Sequence, residues 1–247
     1  MERVTVGLWY QVMGEGEPVV LLHGALVDSR VFDGNLVALA QNFRLYRPEL
    51  RGHGHTADVA GPLSPSVMAK DVIAFLETVV QRRAHLVGYS AGAVVAMMVA
   101  GQRPDLIDRL VLVSGAFHRD GWLLPPASPA DIPKELYDAY GEVSPHGVHH
   151  FPVIIDKIAA SSADEPALTA ADLAAITCRT LVMAGDDDVA SLEHLLDLYR
   201  ALPVAELAIV PGASHCLIME KPELCTGLVA DFLMTEPVTT FMPLRRS

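Results

Sequence analysis

The chain has 247 residues, the length of one large domain, and its hydrophobic content of 51% is sufficient for a sizeable core. The formal net charge of −12 and the scattered lysine and arginine residues argue against a nucleic-acid-binding surface. The most apolar segment, residues 91–101, is too short to span a bilayer, so no membrane-spanning helix is predicted.

The first part of the chain alternates apolar strands with helices. Val4, Val6, Leu8, Tyr10 and Val12 recur at every second position, which is typical of an edge strand with one solvent-facing side. A continuous apolar run at 19–24 is the pattern of a strand covered on both faces. The pattern then predicts a helix around 31–40, a strand at 43–50, a helix at 65–82, a strand at 84–90 and a buried helix at 91–102.

The second part continues this alternation after one interruption. Strands are predicted at 110–115, 180–185 and 205–212, with helices near 191–202 and 222–234. This order predicts an α/β fold with a mostly parallel sheet covered on both faces, and with antiparallel pairing at its N-terminal edge. Residues 117–176 break the pattern, and an insertion of this length usually forms a lid or a binding element. We therefore predict a core of residues 1–116 and 177–247 and a cap of residues 117–176.

The cysteines and the N-terminus indicate the cellular compartment. Cys178, Cys216 and Cys225 form no close-spaced pair, so neither a disulfide framework nor a zinc site is predicted. The first residues lack the apolar block of a secretory signal peptide, and a cytoplasmic location is expected. The expected partner is a small-molecule substrate, with no nucleic acid and no membrane, and a homodimer is left open.

A G-x-S-x-G sequence, Gly-Tyr-Ser-Ala-Gly at 88–92, lies between a predicted strand and a predicted helix. This context is typical of a nucleophile elbow, a tight turn that lifts the hydroxyl of Ser90 out of the sheet. The N–H of Ala91 would then lie at a helix start, where it can stabilise an oxyanion, and Ala25 would supply a second N–H from an earlier strand end. A glycine-rich turn with an incidental serine is the alternative interpretation.

Three consecutive aspartates and a histidine follow predicted strands later in the chain. Asp186, Asp187 and Asp188 end the run GDDD, and His215 lies in VPGASHC. Together with Ser90 they give the chain order Ser, Asp, His of a hydrolase triad, at the carboxyl ends of parallel strands. A calcium site is disfavoured because calcium loops space their acids at alternate positions.

The segments HGALVDS, PELRGHGHT, GYSAG, GDDDVAS and PGASHCLIMEKPE, in this order and spacing, resemble the α/β-hydrolase fold superfamily, on its serine esterase and lactonase side. The resemblance covers residues 4–234 and implies an α/β-hydrolase fold with an inserted cap. In relatives the acid usually follows the pattern Gly-x-x-Asp, which selects Asp188 after Gly185, with Asp186 as the next alternative. Some members carry the acid after the preceding strand, where this sequence reads SGAF and the nearest carboxylate is Asp120.

The resemblance implies a serine hydrolase that requires no metal and no organic cofactor. Ser90 would attack the carbonyl of an ester, lactone or thioester, His215 would act as the base, and Asp188 would orient the histidine. A lyase or an acyltransferase could use the same triad, and a non-catalytic ligand-binding protein of this fold is a further alternative.

Aromatic and histidine side chains near the serine and in the cap are candidates for the substrate pocket. We predict that Tyr89, His118, Trp122 and Phe151 line it. The three histidines of the segment SPHGVHH lack a clear pattern for a further zinc ligand, so no metal site is predicted there.

Overall fold

The computed structural model describes residues 7–237 and 240–242. Its strands are β1 Tyr10–Met13, β2 Glu17–Leu22, β3 Phe43–Pro48, β4 Ala84–Tyr89, β5 Ile107–Val113, β6 Arg179–Asp187 and β7 Ala205–Ser214. Its α-helices are α1 Pro65–Phe75, α2 Ala91–Gln102, α3 Lys134–Val143, α4 Phe151–Ser161, α5 Ala170–Ala174, α6 Leu192–Ala201, α7 Leu217–Glu220 and α8 Pro222–Met234.

The described strands form one seven-stranded sheet with the order β1-β3-β2-β4-β5-β6-β7. β1 pairs antiparallel with β3 at the edge, and the other neighbouring strands pair in parallel. The predicted fold class, a mostly parallel sheet with antiparallel pairing at the N-terminal edge, is therefore confirmed.

Both faces of the sheet are covered, which explains the continuous apolar run of β2. Val20 and Leu22 pack into the cluster that includes α1, α2 and α6. Val19 and Leu21 pack on the opposite face, against side chains of α8. Successive strand residues point to opposite faces, so a strand between two helical layers needs apolar residues at every position.

Helix α2 is buried along most of its length, as predicted. Every residue from Gly92 to Ala100 is buried, because the helix packs against the sheet on one side and against other helices on its remaining sides. A helix that is apolar all round is stable only in such surroundings. The burial fixes the start of α2, and with it the position of Ser90.

Three predicted elements differ in extent from the structure. The helix expected around 31–40 is two 3₁₀-helices, Ser29–Phe32 and Leu36–Gln41, separated at Gly34, whose φ of 79° interrupts a helix. The helix expected at 65–82 ends as a π-helical turn over Leu76–Val80. The edge strand begins only at Tyr10, and the predicted positions 4 and 6 lie outside the described residues.

Residues 117–176 lie between β5 and β6 and contain α3, α4 and α5, which is more helix than their weak periodicity indicates. Within the segment SPHGVHH, His146 Nε2 accepts from the N–H of Asp58 at 3.0 Å, and His150 Nε2 lies 2.9 Å from an Asp58 carboxylate oxygen. These contacts tie this region to the loop that follows β3. The division of the chain into a core and a cap stays a prediction.

None of the helices in the described part of the chain combines the length and the apolar character that crossing a membrane requires.

Candidate active site

Ser90 lies in a sharp turn between the end of β4 and the start of α2. Its φ of 55° and ψ of −120° are unusual for a residue with a side chain, and its N–H donates to the carbonyl of Val113 at 2.8 Å. A Cβ atom on Gly88 would overlap the backbone of α2, and one on Gly92 would overlap the carbonyl oxygens at the end of β2. The two glycines are therefore required by the close approach of the backbone, as expected for a nucleophile elbow.

His215 connects Ser90 to a carboxylate. Its Nε2 atom lies 2.9 Å from Ser90 Oγ, and its Nδ1 atom lies 2.8 Å from Asp188 Oδ1. The hydroxyl of Tyr89 donates to the carbonyl of His215 at 3.1 Å, and Glu220 accepts from the N–H and hydroxyl of Ser214, each at 2.8 Å. These bonds fix the loop that carries the histidine.

Of the three consecutive aspartates, Asp188 is the one that meets His215. Its side chain is buried, and it also accepts from the N–H of Ala190 at 3.0 Å and from the hydroxyl of Ser114 at 2.5 Å. Burial by itself raises the pKa of Asp188, but the hydrogen bonds from His215, Ser114 and Ala190 together lower it below its usual value. The carboxylate is therefore ionised and held in one orientation.

The other two aspartates are exposed. Asp186 Oδ1 accepts from the N–H of Ala213 at 3.1 Å, and Asp187 pairs with Ser214 across β6 and β7. The register of this pair shifts between Gly185 and Asp187, which is the irregularity of a β-bulge. A bulge re-aims the following side chains, and here Asp188 turns towards His215.

Ser114 is a residue of the site that the sequence reasoning missed. It follows β5 directly, is fully buried, and has a φ of 54°. Its N–H donates to the carbonyl of Met183 in the neighbouring strand at 2.8 Å, and its hydroxyl points at Asp188. The available signal was its position, since some superfamily members carry the acid directly after this strand.

Ala25 and Ala91 line the same cavity as Ser90. Ala91 is the first residue of α2, where an N–H has no partner within the helix. His23 fixes the loop that carries Ala25, because its Nδ1 atom donates to the carbonyl of Gly24 at 2.7 Å and its Nε2 atom accepts from the N–H of Leu50 at 2.9 Å. Burial lowers the pKa of His23 to about 3, so this imidazole is neutral.

A cavity of about 610 Å³ opens above Ser90 and His215. Trp122 lines it, with its ring edge-on to His215 at a centroid distance of 6.1 Å. Three further residues predicted to line the pocket, Tyr89, His118 and Phe151, are not among the residues that line this cavity. Tyr89 packs on the α8 face of the sheet and Phe151 is fully buried in a stack with an α3 tyrosine, while the His118 ring lies beside Asp120.

The segment that carries Trp122 is attached to the loop that carries Asp188. The N–H of Leu123 donates to the carbonyl of Val189 at 2.8 Å, and the N–H of Ser191 donates to the carbonyl of Gly121 at 2.9 Å. At the start of the segment, Phe117 stacks on His194, which accepts the Phe117 N–H at 3.1 Å. These contacts therefore hold the cavity-lining segment around Trp122 against the loop that carries Asp188.

Comparison with known proteins agrees with the fold. The sequence matches the family model described as the alpha/beta hydrolase family over residues 19–226, which is most of the chain. The chain belongs to the alpha/beta hydrolase family.

Relatives of this alpha/beta hydrolase include hydrolases of similar length. It is 28% identical to a putative carbamate hydrolase, RutD, of Caulobacter sp. (strain K31), in a match that covers 96% of this chain and 99% of that protein. It is 35% identical to an uncharacterized protein of Mycobacterium bovis over 105 residues, which are 42% of this chain and 31% of the longer mycobacterial protein.

Solved structures of similar fold also belong to hydrolases. The meta-cleavage product hydrolase CumD of Pseudomonas fluorescens has a TM-score of 0.79 at 21% identity, covering 93% of this chain and 96% of that one. The enol-lactonase of Burkholderia xenovorans has a TM-score of 0.74 at 25% identity, covering 92% of this chain and 96% of that one.

Proposed function

We propose that this alpha/beta hydrolase is a serine hydrolase that cleaves an ester, lactone or thioester bond of a small molecule. The observation that carries the proposal is the chain of hydrogen bonds from Ser90 through His215 to the buried carboxylate of Asp188. It opens onto a cavity of about 610 Å³, a size typical of small-molecule sites.

In the proposed acylation, Ser90 Oγ attacks the acyl carbonyl while His215 Nε2 takes the hydroxyl proton. The Asp188 carboxylate accepts from Nδ1–H of the neutral His215 imidazole, which fixes the tautomer, and it stabilises the imidazolium once that forms. The N–H groups of Ala25 and Ala91 donate to the oxyanion of the tetrahedral intermediate. The intermediate collapses as the carbon–oxygen or carbon–sulfur bond breaks, and His215 returns its proton to the leaving group.

Deacylation repeats these steps with water as the nucleophile. His215 takes a proton from the water as the water oxygen adds to the acyl carbonyl. The second tetrahedral intermediate then collapses as the bond to Ser90 Oγ breaks, His215 returns its proton to Ser90 Oγ, and the free acid leaves. The cycle uses only protein groups and water.

Sustained turnover of p-nitrophenyl butyrate tests the proposal. We expect continuous release of p-nitrophenol together with the free acid. We also expect a fluorophosphonate to label Ser90 covalently, as identified by mass spectrometry of the labelled peptide. Release that stops at one equivalent of enzyme contradicts hydrolysis, and the absence of both release and labelling indicates a binding protein. Transfer of the acyl group to an added alcohol in preference to water indicates an acyltransferase.

We further propose that Ser114 is a positioning residue that orients Asp188. We expect Ser114→Gly, which tolerates the φ of 54°, to lower kcat by about tenfold or more with little change in KM, since a hydrogen bond to a charged group contributes about 1.5–3 kcal/mol. The matched control is Ser161→Ala, because Ser161 lines the cavity but its hydroxyl donates to the carbonyl of Lys157 in its own helix. Equal kcat values for the two variants contradict the role of Ser114.

Trp122 and Phe151 are expected to respond differently to truncation. Trp122→Ala enlarges the cavity and should change the relative rates for esters of different acyl size, with a smaller loss of stability than Phe151→Ala because Trp122 is only partly buried. Phe151→Ala removes a fully buried ring and should lower the free energy of unfolding by about 3–5 kcal/mol. Thermal or urea unfolding of both variants, together with rates across an ester series, separates the two effects. Unchanged relative rates in Trp122→Ala argue against its contact with substrate.

A further inference from the structure

Much of the cavity wall away from Ser90 and His215 is aliphatic, although His53, Ser161 and Ser162 also line it. Val94 and Val95 follow the serine by one helical turn of α2, and both are buried. Leu50, Leu63, Met68 and Ile158 complete this part of the wall, which is referred to below as the aliphatic chamber. It is built from the loop after β3, from α1 and its preceding loop, and from α4.

None of the charged residues that line the cavity offers a cation to an anionic substrate group inside the chamber. Among the described lining residues, three carry a formal charge, namely Arg119, Asp120 and Glu165. The side chains of Arg119 and Asp120 are 47% and 78% exposed, so they lie at the rim. The Glu165 carboxylate is occupied by Ser66, accepting from its hydroxyl at 2.6 Å and from its N–H at 2.8 Å.

The one histidine of the wall besides His215 does not change this balance. His53 is buried, and its Nδ1 atom lies 2.9 Å from the carbonyl of Arg51, to which a neutral imidazole can donate. Burial lowers the pKa of His53, so the ring carries no charge at neutral pH. A carboxylate in the chamber would therefore lose its hydration without gaining an ionic partner, which is strongly unfavourable.

The rim continues the apolar character of the chamber. Leu123 and Leu124 line the cavity and are also 64% and 63% exposed, so their side chains face both the opening and the solvent. Pro125 and Pro126 follow them along the same edge. A substrate chain longer than the chamber would lie across these side chains, which otherwise face water.

We infer that the acyl group hydrolysed at this site is an uncharged aliphatic chain, which fills the aliphatic chamber and extends towards Leu123 and Leu124. This inference rests on the proposed function, since it names the substrate class of the same serine. It predicts a preference for longer over shorter alkanoyl esters and rejection of acyl groups that end in a carboxylate.

The first test uses acyl groups of matched length and different charge. We expect kcat/KM to rise by about threefold to fourfold for each methylene added from p-nitrophenyl acetate to the hexanoate. Mono-p-nitrophenyl adipate has the same six-carbon chain as the hexanoate but ends in a carboxylate, and it should react at least about thirtyfold more slowly. Rates are corrected for spontaneous hydrolysis of each ester.

The second test changes the chamber without touching the proposed triad. Ile158→Trp should fill the chamber and abolish the gain in kcat/KM from the acetate to the hexanoate ester. Ile158→Lys should reduce the difference in kcat/KM between the hexanoate and the adipate monoester, because the lysine supplies a cation for the carboxylate. Val153→Trp is the matched control, since Val153 lies on the same helix, is 44% exposed and does not line the cavity.

The outcomes separate the inference from the proposed function. Equal kcat/KM values across the alkanoyl series, or a faster reaction with the adipate monoester, overturn the inference while sustained turnover still supports a serine hydrolase. An Ile158→Trp variant that behaves like Val153→Trp also overturns it. If the wild type hydrolyses none of these esters and Ser90 is not labelled by a fluorophosphonate, the proposed function fails and the inference fails with it.

Discussion

Replacing Ser90 with alanine is expected to lower kcat for p-nitrophenyl esters by up to about a millionfold, as the loss of a triad serine does elsewhere. The reason is chemical, because no other hydroxyl takes the place of Ser90 Oγ at 2.9 Å from His215 Nε2 in the described structure. The measurement is kcat at saturating ester, with far-UV circular dichroism and thermal unfolding as controls for an intact fold.

Two further observations sharpen the Ser90 prediction. The fluorophosphonate label should disappear in Ser90→Ala and should remain in Ser161→Ala, whose serine also lines the cavity. A purified Ser90→Ala protein that keeps a tenth of the wild-type rate would show that the nucleophile has been assigned to the wrong residue.

The three aspartates of GDDD are expected to differ sharply when each is changed to asparagine. Asp188→Asn keeps the shape of the side chain but presents an amide to His215 and favours the wrong tautomer, so kcat should fall by at least about a hundredfold. Asp186→Asn and Asp187→Asn should each lose less than about tenfold, because both side chains are exposed and neither contacts His215. The measurement is kcat of the three variants on one ester.

These variants are matched controls for one another. An Asn at 186 can still accept from the N–H of Ala213, so the loop before His215 should keep its conformation. If Asp186→Asn loses its activity while Asp188→Asn stays active, the orienting acid is Asp186, the alternative to Asp188. Asp120 has no support as the acid, since its side chain is 78% exposed and contacts His118 and Arg119.

Sequence patterns predicted the fold because they report local requirements. Period-two and continuous apolar runs distinguish an edge strand from a covered strand, and the order of strands and helices predicts parallel pairing. The extents were less predictable. Gly34 splits the helix expected around 31–40, and the turn Leu76–Val80 ends α1 as a π-helix rather than an α-helix. Such endings depend on caps and packing that the apolar periodicity does not contain.

The sequence by itself determined the serine turn and the chain order of the candidate triad. Gly88 and Gly92 are needed because the backbone approaches itself closely on both sides of Ser90, and that requirement is written within five consecutive residues. The spacing from Gly185 also selected Asp188, by resemblance to the family rather than by geometry.

Only the tertiary structure decided which side chains meet across the site. The bulge between β6 and β7 turns Asp188 towards His215, and Ser114, which lies 74 positions earlier in the chain and directly after β5, donates to it. The tertiary structure also decided which aromatic residues line the cavity: Trp122 lines it, whereas Tyr89 and Phe151 pack in the interior. Backbone preferences act over a few neighbouring residues, whereas these contacts depend on strand register, on the face of the sheet and on how the helices after β5 pack.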